Sequence, residues 1–345
     1  MYTDLDDKDN IQRIDVSNTS SQIADFASNL LEATRYEAPD IERPRSVCMS
    51  GIGGSAMAAD ILQDYLAPVS KLMVAINRNV ALPAWINSDS LSIITSYSGN
   101  TQEALDVLDH SVKAGCEICC ITSGGKLLER CVSNGIPHVK VPGGIQPRAA
   151  LGYLLGAASA VLEKIGAGTP ATDFGKAAQN SLSASERMSP KNPTESNIAK
   201  KLALRMEDML PAIYAPKNIR SVAVRWQNQI NENSKMVAFS GEVPEMNHNQ
   251  MVGWLQGSGC APCRPLFLLP SMMDPTIERM TMVTIQMFTE AKLEPMVVPL
   301  HGNTHAENLV SGVMLGDNVS YYLAILKGCD PGPVPVIQDF KSRIA

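Results

Sequence analysis

From residue 46 to residue 165 the chain alternates short apolar runs with amphipathic ones, and this rhythm constrains its fold more than any other feature. The apolar runs at 46–50, 72–76, 91–96, 117–122 and 138–141 have the length of buried strands. Between them, 56–66, 101–114, 127–133 and 148–165 carry apolar residues at helical spacing, as in Ala104, Leu105, Val107, Leu108 and Val112. Strands joined through helices run parallel, and a parallel sheet is covered on both faces. The expected class is therefore α/β, a mainly parallel sheet flanked by helices in three αβα layers.

A second series follows, with helices at 197–210, 276–291 and 307–326 and strands at 212–215, 264–269 and 295–300. The stretch from 219 is ambiguous: Ser221-Val222-Ala223-Val224 has strand propensity, and the remainder through Lys235 is helical. Gly328 is placed to end the helix at 307–326, and Asp330-Pro331-Gly332-Pro333 breaks the chain before a last short helix carrying Lys341. A helix at 21–33 comes first, with Ile23, Phe26, Leu30 and Leu31 on one face. The expected organisation is a helical segment over 1–40, an αβα domain over 41–166, a helical linker over 167–195 broken around Pro190 and Pro193, and a second αβα domain over 196–345.

A net charge of −6 argues against a nucleic-acid surface, which is usually basic. It also gives no long-range attraction for an anion, so any phosphate must be held by local donors. No segment approaches the unbroken apolar length of a membrane span, and the acidic start lacks the apolar core of a signal peptide. A cytoplasmic protein with no membrane partner is expected.

Two turns carry the chemistry. Thr95-Ser96-Tyr97-Ser98-Gly99-Asn100-Thr101 lies where an apolar strand becomes a helix. The first amides of a helix have no partner within it and its dipole is positive there, so hydroxyls and amides can grip a phosphate. Gly51-Ile52-Gly53-Gly54-Ser55 is a second glycine-rich turn after a strand. It is neither a Walker A loop nor GxGxxG, and alone it also reads as a tight βα turn. Two such turns on adjacent strands would form one pocket at the strand C-termini.

Other candidates are weaker. Cys116, Cys119 and Cys120 sit in or beside a strand, where neighbours point to opposite faces and cannot share one metal. Cys260-Ala261-Pro262-Cys263 is a lone CxxC, for which structural or incidental thiols are the default reading and a zinc or redox role the lesser one. His301, His305 and Glu307 lie at a loop-to-helix junction, and their spacing alone is poor evidence for a metal. Met272, Met273, Met280, Met282 and Met287 suit core or interface filling.

The chain resembles the sugar isomerase (SIS) superfamily, and within it the bifunctional phosphoglucose/phosphomannose isomerases. The matching stretches are Gly51-Ile52-Gly53-Gly54-Ser55, Ser96-Tyr97-Ser98-Gly99-Asn100-Thr101-Gln102-Glu103, Ile121-Thr122-Ser123-Gly124-Gly125 and Pro147-Arg148-Ala149-Ala150-Leu151. Asn231-Glu232-Asn233-Ser234-Lys235, Glu245-Met246-Asn247-His248-Asn249 and Leu315-Gly316-Asp317 complete the set. The resemblance implies two SIS domains and an aldose–ketose isomerase for hexose 6-phosphates, with no metal or other cofactor. It implies that Gly53, Gly54, Ser55, Ser96, Ser98 and Thr101 hold the phosphate. Glu232 would move the proton between C1 and C2, and Arg148 would stabilise the enediolate. His248 would open the ring, reaching the site from the partner subunit of a homodimer, and Lys341 would stand beside the ring oxygen. From the residues alone, Glu232 also reads as a solvated helix charge, Arg148 as a surface arginine and His248 as a loop histidine. The threonine that relatives carry near the C-terminus has no evident counterpart, the last threonine being Thr304, so glucose 6-phosphate is the firmer expectation and mannose 6-phosphate the second. Another SIS-fold sugar-phosphate isomerase is one alternative. A non-catalytic regulator is another; it would have no use for Glu232, His248 and Arg148, and the acidic segment before the first strand is a poor DNA-binding domain.

Overall fold

The computed structural model describes residues 4–257 and 262–344. In chain order the helices are α1 (Lys8–Ile14), α2 (Thr19–Ala24), α3 (Phe26–Ala33), α4 (Gly54–Leu66), α5 (Gln102–Ala114), α6 (Gly125–Asn134) and α7 (Leu151–Lys164). Then come α8 (Pro170–Arg187), α9 (Ile198–Met206), α10 (Arg220–Ser234), α11 (Gln250–Gln256), α12 (Pro275–Glu290), α13 (His305–Leu326) and α14 (Pro335–Ile344). The strands are β1 (Ser46–Ser50), β2 (Met73–Asn77), β3 (Ser90–Thr95), β4 (Glu117–Thr122), β5 (His138–Lys140), β6 (Leu210–Pro216), β7 (Phe239–Val243), β8 (Cys263–Leu269) and β9 (Met296–Pro299). Two compact units emerge, one of residues 25–182 with 304–310, the other of the remaining described residues.

The first unit is built on a parallel sheet of order β2-β1-β3-β4-β5. Every residue of β1 and β3 is buried, as expected of central strands covered on both faces. Cys48, Ile94 and Cys120 share one apolar cluster with Ala104, Leu105 and Leu108 of α5 and Leu127 of α6. By the alternation of side chains, Val47, Met49, Ile93 and Ile121 face the other way, and all are buried. The strand order reverses between β1 and β3. In such sheets ligands bind at that switch point, outside the strand C-termini.

The second unit repeats the pattern with one strand fewer, β7-β6-β8-β9, again parallel. Ala212, Tyr214, Phe267 and Phe288 form its apolar centre, with the Phe267 and Phe288 rings edge to face at 5.8 Å. Two local readings change. Ser221 to Val224 are helical: Val222, Trp226, Ile230 and Asn233 recur every three or four residues and are all buried, so periodicity overrides β-propensity. β7 is absent from the apolar pattern because it is an edge strand whose centre is Ser240, Gly241 and Glu242. The helical linker expected over 167–195 contains the 18-residue helix α8.

One helix bears on the membrane-span reading, although Asp317 and Asn318 interrupt its apolar residues. α13 is 22 residues long and contains an 18-residue window of mean hydropathy 1.3, enough by length and composition for a membrane span. The apolar window is 94% buried inside the protein, so it is a core helix. Its end is a Schellman closure: Gly328, at φ 66°, donates to Ile325 O (3.0 Å), and Cys329 N donates to Ala324 O (3.0 Å).

Candidate active site

In the first unit the glycine-rich turn leads from β1 into α4. Gly53 has φ 59° and ψ −131°, a conformation only glycine adopts easily. A β-carbon on Gly54 would stand 3.2 Å from Pro147 O and from the Arg148 Cα, so the missing side chain lets the Pro147-Arg148 backbone lie against the turn. Arg148 is buried there, not a surface arginine.

The β1 and β3 turns are bonded to each other. Ser55 Oγ accepts the Tyr97 amide at 3.2 Å. Ser96 Oγ and Thr101 Oγ1 lie 2.9 Å apart, and Thr101 occupies the N-cap of α5 without capping it through its side chain. The Asn100 amide donates to Ser98 Oγ (3.3 Å), and Ser98 is exposed. The structure therefore brings Gly53, Gly54, Ser55, Ser96, Ser98, Thr101 and the Arg148 backbone to neighbouring strand ends. A 20 Å³ recess at this mouth is lined by Gly51, Ile52, Ser55, Asn79, Thr101 and Glu103. It has room for about one water, so an anion would sit at the rim and not inside.

A third turn, between β4 and α6, completes the assembly. Ser123 Oγ donates to Tyr97 O (2.6 Å), Leu127 N to Gly99 O (2.9 Å), Lys126 N to Asn100 Oδ1 (3.1 Å), and Ile145 N to the Tyr97 hydroxyl (3.3 Å). Tyr97 thus holds three turns at once. Its burial raises the phenol pKa, which keeps the hydroxyl neutral. The sequence had shown Tyr97 and Ser123 only as motif positions, because their partners are remote backbone atoms.

In the second unit Glu232 lies half-buried in the last turn of α10. Its neighbours do structural work. Asn231 Oδ1 accepts the Ala238 amide (2.9 Å), Asn233 Nδ2 donates to Ser320 Oγ (2.9 Å), and Ser234 Oγ donates to Ile230 O (2.6 Å). α10 is fixed to α13 by a buried bidentate pair: Arg225 Nε to Asp317 Oδ1 at 2.8 Å, and Arg225 Nη2 to Asp317 Oδ2 at 2.7 Å. Trp226 Nε1 donates to Gly312 O (2.8 Å), and a β-carbon on Gly316 would come 2.3 Å from its indole. This accounts for Leu315-Gly316-Asp317, whose role sequence reasoning left open. Arg225 was missed because nothing in a helix marks which arginine is buried.

His248 is exposed at the end of a short 3₁₀ turn, Glu245–His248. Met246 of the same turn is buried, and Asn247 Nδ2 donates to Thr284 Oγ1 (2.6 Å). Lys341 lies in α14, and its side chain is outside the described residues. Cys260 of the CxxC also lies outside them. Among the described residues no three His, Cys, Asp or Glu side chains are grouped to hold a metal ion.

Residues 195–344 match the bacterial phospho-glucose isomerase C-terminal SIS domain family. Over 321 residues the chain is 36% identical to a bifunctional phosphoglucose/phosphomannose isomerase of Caldicellulosiruptor bescii, covering 91% of this chain and 92% of that one. The chain belongs to the bifunctional phosphoglucose/phosphomannose isomerase family. An Aquifex aeolicus protein of the same name is 30% identical over 312 residues, covering 89% of this chain and 92% of that one. The fold is also that of a solved hypothetical protein from Thermus thermophilus, with TM-score 0.73 at 16% identity over 98% of this chain and 93% of that one. Within this isomerase family the two parallel sheets are the SIS units expected from the sequence.

Proposed function

We infer that the chain interconverts fructose 6-phosphate with glucose 6-phosphate and mannose 6-phosphate by acid–base chemistry on the open-chain sugar. The observation that carries this is the 36% identity spanning both SIS units and nearly the full length of a relative of that name. The bonded β1, β3 and β4 turns support it, since they present hydroxyls and helix N-termini to an anion.

In this reading Gly53, Gly54, Ser55, Ser96, Ser98 and Thr101 take the phosphate. His248 and Lys341 assist ring opening, which moves a proton from O1 to the ring oxygen. Glu232 then removes the C2 proton of the aldose. The C–H electron pair becomes the C1–C2 double bond of a cis-enediolate, and the carbonyl pair moves to O1. Arg148 stabilises that oxygen. The O2 proton then passes to O1, the O2 pair closes the C2 carbonyl, and the C1–C2 double-bond pair takes the proton back from Glu232 at C1, which gives the ketose.

We place the enzyme in the cytoplasm as a homodimer in which His248 serves the partner's site. Support for self-association comes from α12. Met280, Val283 and Met287 follow one stripe of that helix and are exposed, while Thr281, Thr284 and Phe288 form its buried face.

The test supplies fructose 6-phosphate and detects glucose 6-phosphate and mannose 6-phosphate with separate coupling enzymes. Both products are expected, with turnover unchanged by chelator. Glu232→Gln is expected to lower kcat by about 10³-fold or more while substrate still binds. Near-normal turnover in that variant would remove Glu232 as the base.

A further inference from the structure

The end of α10 is closed in an unusual way. Lys235 takes the left-handed conformation, φ 56°, which residues with a β-carbon adopt infrequently. The last carbonyls of a helix lack amide partners. Here Lys235 Nζ turns back and donates to two of them, Glu232 O at 2.8 Å and Asn233 O at 3.1 Å. The same ammonium reaches Asp330 O at 3.1 Å and Pro331 O at 3.3 Å. Its three hydrogens are shared among four carbonyls.

The second pair of carbonyls belongs to the segment between α13 and α14. That segment is held in place independently. The Asp330 carboxylate accepts from Gly332 N (2.9 Å) and Ser17 Oγ (2.8 Å), and Cys329 Sγ lies 3.8 Å from both Asn233 O and Ser234 O. One cation therefore joins the backbone of Glu232 to the segment that leads into the helix carrying Lys341.

We propose that Lys235 is a positioning residue for catalysis: its ammonium fixes the Glu232 turn against the Asp330–Pro331 crossing and so sets where the base stands. This rests on the reading of Glu232 as the base. A helix cap alone needs only the left-handed backbone, which glycine supplies better than lysine. The clamp needs the ammonium. Lys235→Gly separates the two, because it keeps the helix stop and removes the cation.

The experiment compares Lys235→Gly with the unaltered full-length chain in the fructose 6-phosphate assay. Melting temperature and circular dichroism should be nearly unchanged. kcat should fall by about 10- to 100-fold, the cost of a base displaced by about 1 Å, with KM changed by less than about threefold because the phosphate turns are untouched. Added n-butylammonium, the missing side chain as a free cation, should restore part of kcat. Tetramethylammonium, which has the charge but no N–H, should not. An unchanged kcat overturns the clamp, and so does equal rescue by both cations. Should Lys235→Gly fail to fold, Lys235→Asn, which also tolerates the left-handed backbone, replaces it under the same criteria. Glu232→Gln runs in parallel: if it stays active the base assignment fails, whereas an inactive Glu232→Gln beside a fully active Lys235→Gly sinks the clamp alone.

Discussion

Gly99 has no room for a side chain. It has φ 66°, and a β-carbon would fall 1.8 Å from Gly124 O and 2.8 Å from Thr122 Oγ1. Gly99→Ala must therefore push the β3 and β4 turns apart and also strain its own backbone. It is expected to destabilise the protein by about 4 kcal/mol or more, measured by urea unfolding. Loss of less than about 1 kcal/mol would mean that the turns give way easily. At this scale the sequence was partly legible. Glycines and hydroxyls at strand-to-helix junctions marked the two turns, and the family resemblance singled out Gly53, Gly54, Ser55, Ser96, Ser98 and Thr101 within them as candidates. Tyr97 was not legible, because its bonds to Ser55, Ser123 and Ile145 join atoms far apart in the chain. Nor was the burial of Arg148, which depends on Gly54 making space.

Among elements, α10 and α13 are joined by a buried ion pair as well as by the Trp226 and Asn233 hydrogen bonds. Arg225 and Asp317 have side-chain exposures of 3% and 5%, so removing either leaves an uncompensated buried charge. Asp317→Ala is expected to cost about 3–5 kcal/mol in chemical denaturation. The double variant Arg225→Met with Asp317→Leu should cost clearly less than the single one, because no charge is then stranded. Equal losses would show that shape and not charge holds the two helices. The alternating apolar runs gave the central strands and most helices directly, since a strand buried on both faces has to be continuously apolar. The pattern failed where burial is one-sided or polar. β7 is an edge strand, and α10 buries Ser221, Arg225, Gln229 and Asn233 beside its apolar residues, so its inward face does not look apolar in one dimension.

For the molecule as a whole, the N-terminal segment is fastened by a buried cation. Lys200 is 0% exposed, and its Nζ donates to Asp6 Oδ1 (2.9 Å), Asn192 O (2.7 Å) and Pro190 O (3.2 Å). Burial pushes the Asp6 carboxyl pKa upward, but the bonds from Lys200 and Thr194 outweigh it and hold the value below 3.8. A carboxyl whose pKa is depressed on folding stabilises the native state above its unfolded pKa, and that stability is lost as pH falls through the folded value. Its contribution is thus complete from neutrality down to about pH 4 and fades below that. Asp6→Asn is expected to cost about 1–2 kcal/mol at pH 7, less than a fully buried pair because the carboxylate side chain is more than one-third exposed. Unfolding curves for the two proteins should converge as the solution is acidified below pH 4, and a constant gap would assign the loss to packing. That fastening was invisible in the sequence, where nothing in the acidic start pointed to a partner as remote as Lys200. A different consequence follows from Tyr97. Because its amide and carbonyl already knit the β1, β3 and β4 turns together and its hydroxyl ties in Ile145, the cradle proposed for the phosphate is finished before any sugar arrives. An incoming anion meets a ready mould, so its capture should run at the pace of encounter, with no slow rearrangement of the loops.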